Sequence, residues 1–247
     1  MKKLLFVFVA VAVISVFFVA CKDKESGAIN PIEVKNVFGN KDEISKISNV
    51  EAQAFYYDYE VDDYYSETIA SCDYKNGFKL KLQNTLSDEF LYYFWEDDDE
   101  FLGKITISDT TAKVGEIEIV ALDNTGEEIG GFSFEVERYI NGELYYGYAY
   151  YVYADKDFTI KGKYEDNEYK WKSSIEFNCS FKEGWNIICI EVEESDITYI
   201  EKVKITTTKP SGNNWVWRYY SWDDDWFKST TYSKRAHHSF KNNFLRK

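Results

Sequence analysis

From Glu33 to Thr208 the chain is a nearly unbroken series of short segments rich in Tyr, Phe, Val and Ile, separated by turn signals every 8 to 12 residues or so. Aromatic and β-branched side chains fit a pleated, half-buried surface, so these segments read as strands. The expected strands are Glu33 to Phe38, Val50 to Tyr59, Glu67 to Tyr74, Phe78 to Gln83, Phe90 to Trp95, Gly103 to Ser108, Glu116 to Leu122, Glu128 to Val136, Tyr145 to Ala154, Phe158 to Tyr164, Ser173 to Phe181, Asn186 to Val192 and Glu201 to Thr208. Asp42 to Ile47 has helical promise but is too short to stand alone. Many short strands without alternating helices predict an all-β chain, an antiparallel sandwich of the Ig-like or a related kind.

The N-terminus reads differently. Met1-Lys2-Lys3 is basic, Leu4 to Ala20 is uncharged with Ser15 as its one polar side chain, and Phe18-Val19-Ala20-Cys21 closes the stretch. This arrangement resembles a bacterial lipoprotein signal. It implies cleavage before Cys21, a lipid on Cys21 and a membrane as partner. An uncleaved anchor and an ordinary secretory leader are the alternatives. Lys22 stands where many inner-membrane lipoproteins carry aspartate, so the resemblance implies the outer membrane, with periplasmic and external orientations both open. Residues 1–20 are therefore expected to be a signal, 21–30 a polar tether and 31–217 the β body, with a candidate subdivision at 101–104. Residues 218–247 lose strand alternation, gather Lys and Arg, and read as an irregular polar tail.

A formal net charge of −14 argues against a nucleic-acid partner, since nothing would neutralise phosphates. Besides Cys21 the cysteines are Cys72, Cys179 and Cys189, an odd number, so at least one stays unpaired. Cys179 and Cys189 flank a turn at Lys182-Glu183-Gly184-Trp185. With a two-residue loop Cys179 opposes Ile188, leaving Cys189 on the other face, and Phe177, Cys179 and Phe181 join Ile188, Ile190 and Val192 on one apolar face. A three-residue loop would set the two cysteines opposite each other. The first register predicts buried thiols.

Enzyme signatures are sparse. The chain has no Gly-x-Ser-x-Gly elbow, phosphate-cradling glycine loop or Cys-x-x-Cys pair, and its two histidines, His237 and His238, are neighbours in the tail. No catalytic residue, cofactor or metal is expected, and no acid stands out for carboxylate-pair glycoside hydrolysis, which stays as the remote alternative. The acidic runs Asp97-Asp98-Asp99 and Asp223-Asp224-Asp225, and Asp155-x-Asp157-x-Thr159, lack the glycine of a calcium loop and read as charged turns.

Aromatics are the best lead. Asn141-Gly142 supplies the positive φ of a type I′ hairpin, so Ile140 opposes Glu143, Glu137 opposes Tyr146 and Glu135 opposes Tyr148. Phe132, Phe134 and Val136 then share one face with Tyr145, Gly147, Ala149 and Tyr151, a set suited to packing. The other, wetter face carries Tyr146, Tyr148 and Tyr150 beside Glu135 and Glu137. Rings can stack on the apolar faces of sugars while carboxylates accept hydroxyl protons, which predicts ligand or glycan binding there. The same tyrosines would equally suit cross-strand packing under another layer. Trp215, Trp217, Trp222 and Trp226 form a second concentration, expected to close a core.

The segments 74–80, 121–126, 151–157, 182–186 and 207–212, which include Tyr-Lys-Asn-Gly-Phe, Tyr-Ala-Asp-Lys-Asp, Lys-Glu-Gly-Trp-Asn and Thr-Thr-Lys-Pro-Ser-Gly, resemble in order a group of uncharacterised β-rich lipoproteins of Gram-negative gut bacteria. The resemblance implies fold and location, and carries no activity. The expectation is a lipid-anchored, non-catalytic ligand- or glycan-binding module of the outer envelope, with a structural or protein-interaction subunit of an envelope complex as the alternative.

Overall fold

A computed structural model describes residues 31–58, 63–93, 104–140, 143–166, 172–195, 200–208 and 215–222. The signal, Cys21, the tether, the acidic runs at 97–99 and 223–225, Trp226 and both histidines lie outside the described residues.

The protein is mostly β, with large mixed sheets that do not close into a barrel, a sandwich-like all-β fold. In chain order the strands are β1 (Ile32–Val34), β2 (Val37–Phe38), β3 (Asn49–Asp58), β4 (Asp63–Asp73), β5 (Phe78–Leu80), β6 (Tyr92–Tyr93), β7 (Ile105–Ile107), β8 (Lys113–Leu122), β9 (Glu128–Ile140), β10 (Glu143–Ala154), β11 (Phe158–Asp166), β12 (Lys172–Phe181), β13 (Gly184–Ser195), β14 (Ile200–Thr206) and β15 (Val216–Ser221). The single described α-helix, α1 (Lys41–Ile44), is one turn, capped by the Asn40 side chain accepting from the Asp42 amide. β1 pairs with β5, and the other thirteen strands form one sheet. Strands on both sides of residues 101–104 share that sheet, since β3 and β6 both pair with β8.

The long strands β10 and β13 are buried on both faces, which places them between two cores. Ala149, Tyr151 and Tyr153 of β10 and Trp185, Ile187 and Cys189 of β13 face a main cluster with Ile32, Val50, Leu80 and Phe134. Val152 and Ala154, with Ile188, Ile190 and Val192, face a second cluster completed by Phe158 and Ile160 of β11, Phe177, Cys179 and Phe181 of β12, and Val203 and Ile205 of β14. Period-two alternation is what lets one strand feed both.

The hairpin register expected at Asn141-Gly142 is the observed one: Ile140 opposes Glu143, Glu137 opposes Tyr146 and Glu135 opposes Tyr148. The turn at Lys182 to Trp185 differs from expectation. β12 and β13 are not neighbours, because β14 lies between them, parallel to β12 and antiparallel to β13. Phe177, Ile205 and Ile190 then form one row across the three strands, and Ile175, Val203 and Val192 the next. The expected shared apolar face survives because insertion of a strand changes adjacency while the register keeps side-chain parity. Cys179 and Cys189 are both buried free thiols on opposite faces. Residues 218–221, read from the sequence as the start of the tail, belong to β15, which pairs with β9 and, in parallel, with β2. The alternation Trp217, Tyr219 against Arg218, Tyr220 carries it into the sheet, with Trp217 and Tyr219 in the main core.

Candidate functional site

The sheet contains a fork. On one edge β8 pairs with β9 at Val120 to Leu122 and with β10 at Val114 to Glu116. β9 in turn pairs with β10 from Phe134 onward. Residues 117–119 of β8, 132–133 of β9 and 150–151 of β10 fall where the three strands part, with no register partner across the shared edge. A cleft of about 200 Å³ opens at this fork.

Its walls are largely aromatic and aliphatic, and its polar groups include two carboxylates and the Ser133 hydroxyl. Tyr148 and Tyr150 line it from β10, Glu116 and Glu118 from β8, Tyr220 from β15, and Trp222 just beyond. Tyr148 and Tyr150 stack with ring centroids 6.3 Å apart and 19° between planes. Trp222 is seated by its amide donating to the Ile129 carbonyl at 3.1 Å, and its ring lies where a side chain on Gly131 would press at 3.1 Å.

Glu116 is only 7% exposed. Its carboxylate Oε1 accepts the Tyr92 hydroxyl at 2.6 Å. Burial pushes its pKa up to about 7, against the lowering effect of that hydrogen bond. The Tyr150 hydroxyl is buried with no hydrogen-bond partner among the described residues. Burial and then the nearby Glu116 charge hold its pKa well above the ordinary phenolic value.

Beside the cleft, Glu135 accepts from Tyr220 Oη and from Arg218 Nε, both at 2.6 Å. The cross-strand pairs Arg218 with Ser133 and Val216 with Glu135 bring these groups onto one face. This carboxylate is therefore already engaged by protein donors, and Arg218 is held by it.

Of the residues expected from the hairpin, the structure brings Tyr148 and Tyr150 into the cleft and sets Glu135 at its border. Tyr146 lies farther along β10, opposite Glu137 and Val192, and Glu137 is exposed. The tyrosine row is half-buried and packs against the second core, so it is not the open, wet row the hairpin alone suggested. The reason is the continuation of the sheet through β14, β12 and β11, which no local pattern reveals. Trp215 and Trp217 pack in the main core as expected, Trp217 at 5.4 Å from Phe134 and 6.3 Å from Tyr151.

Sequence reasoning missed Glu116, Glu118, Tyr220 and Trp222 as cleft residues. The signal for the first two was present as polar positions alternating inside the apolar run of β8. The last two sat in a segment read as tail. Asp155 and Asp157 are engaged by protein donors: Asp155 Oδ1 accepts the Lys113 amide at 2.9 Å, and Asp157 accepts Lys182 Nζ at 2.7 Å and the Glu183 amide at 2.8 Å. No group of three or more potential metal ligands gathers among the described residues, nor does any described helix have the length and apolarity to cross a membrane. Compared with known protein families, curated proteins and solved structures, the chain matches none.

Proposed function

We propose that the protein is a lipid-anchored, non-catalytic binding module of the bacterial envelope, capturing a glycan or similar small ligand in the fork cleft. The observation that carries the binding reading is the cleft itself: a concave site with stacked tyrosines and a tryptophan on its walls and a few convergent carboxylates, the usual composition of a ligand site. Flat rings offer surface to the apolar face of a sugar, and carboxylates accept its hydroxyl protons. The anchor rests on the N-terminal pattern ending at Cys21.

Glycan-array retention tests it. Wild-type protein should be retained, and Tyr148→Ala with Trp222→Ala should abolish retention while thermal unfolding stays cooperative. Unchanged binding by that double variant would remove the cleft from the reading. Mass spectrometry of the native envelope protein should find acylated Cys21 at the mature N-terminus, and an unmodified thiol there would overturn the anchor.

A further inference from the structure

We propose that the cleft takes a ligand bearing a compact organic cation, an ammonium group seated between the aromatic walls and Glu116. This rests on the reading of the fork cleft as a binding site and specifies the chemistry it selects. A glutamate is rarely this buried unless a charge partner accompanies it. Glu116 is 7% exposed, and its side-chain partner among the described residues is the neutral Tyr92 hydroxyl. Among the described residues no lysine or arginine lines the cleft, and Arg218, which shares a strand with the cleft residue Tyr220, is held by Glu135. The groups facing Glu116 are Tyr92 from β6, Tyr150 from β10 and Glu118 on its own strand, none of them cationic. Once Glu116 ionises, above about pH 7, a cationic ligand can supply the charge partner that these groups do not.

The walls fit the same chemistry. Tyr148, Tyr150, Tyr220 and Trp222 line the cleft, and the π face of an aromatic ring attracts a cation most strongly where it is desolvated. An anionic sugar would instead meet Glu116 and Glu118 in a chain of net charge −14. Because burial favours the protonated form of Glu116 below about pH 7, a cation should bind by displacing that proton, and its affinity should rise with pH through this range.

The test uses choline, whose charge is permanent, and its neutral isostere with a tert-butyl group in place of the trimethylammonium. Calorimetric titration of the full-length protein should show choline binding at least about tenfold tighter than the isostere at about pH 8, the difference shrinking at about pH 5. Glu116→Gln should remove most of that preference and its pH dependence while keeping the fold, because the amide oxygen still accepts from Tyr92. Equal binding of choline and isostere, no choline binding at all, or an unaltered preference in Glu116→Gln would overturn the inference. Glycan-array retention alongside such a result would leave the binding module standing with a neutral ligand. Choline binding without glycan retention would leave the cation site and remove the glycan.

Discussion

Tyr92 donates its hydroxyl proton to Glu116 across 2.6 Å, tying the two-residue strand β6 to a carboxylate that β8 carries into the protein. Burial of that carboxylate, which outweighs the lowering effect of the bond, determines how Glu116 responds to pH. Below about pH 4.5 folded and unfolded chains both hold the proton. Between there and about pH 7 the unfolded chain releases it while the folded one keeps it, so stability falls as pH rises and levels off above. The loss amounts to roughly 3 kcal/mol. Glu116→Gln should therefore be more stable than wild type at about pH 8 and similar at about pH 4, measured by urea unfolding at each pH. A difference that does not change with pH would contradict the assignment.

Asn186 should be a strong point of the crossing from β12 to β13. It is buried, its amide nitrogen donates to the Lys182 and Gly184 carbonyls at 2.7 and 2.8 Å, and its Oδ1 accepts the Lys182 amide at 2.9 Å. Asn186→Ala leaves those backbone groups without their partner, and should cost about 2 to 4 kcal/mol in chemical unfolding. Asn186→Asp keeps the acceptor, loses both donors and buries a charge, so it should recover none of that stability at about pH 8.

Gly130 is where β15 crosses close to β9. A Cβ there would run into the Tyr220 carbonyl and the Tyr219 ring, whose hydroxyl donates to the Ile129 carbonyl at 2.9 Å. Backbone cannot yield as a flexible side chain does, so Gly130→Ala should destabilise by about 1 to 3 kcal/mol. Gly126, with no atom within 4 Å of a built Cβ but φ of +85°, should be less sensitive to crowding and lose stability through backbone strain alone. Thermal unfolding of the two variants compares these mechanisms.

The three described cysteines should alkylate in a set order. Cys179 is buried, its thiol donates to the Ile205 carbonyl at 3.4 Å, and burial pushes its pKa up to about 12. Cys189 is equally enclosed, whereas Cys72 is half-buried with its pKa raised less completely by burial. Since the thiolate is the nucleophile, native protein treated with iodoacetamide at about pH 8 should label at Cys72 first, and at Cys179 and Cys189 only after unfolding, read by peptide mass spectrometry. Native labelling of Cys179 would show that the second core opens.

The parts legible in the chain are the local ones. Twelve of the thirteen expected strands coincide with observed ones within a few residues, the first segment forms two short strands, and the β9–β10 register followed from Asn141-Gly142. The placement of Cys179 and Cys189 on opposite faces agrees with the two-residue-loop register, although the relation is fixed through β14 and not by a hairpin. The insertion of β14 was not readable, since its apolar positions would fill a row equally well at an edge. Nor was β15, whose alternation is masked by the basic and acidic residues around it.

Side-chain alternation with period two is a property of the backbone, so the sequence by itself determined most of the strand segments and which residues within each share a face. Only the tertiary structure decided which strand lies beside which, where β8, β9 and β10 part, and that Glu116 is withdrawn from water. Those outcomes depend on contacts between residues far apart in the chain, and on the desolvation such packing imposes.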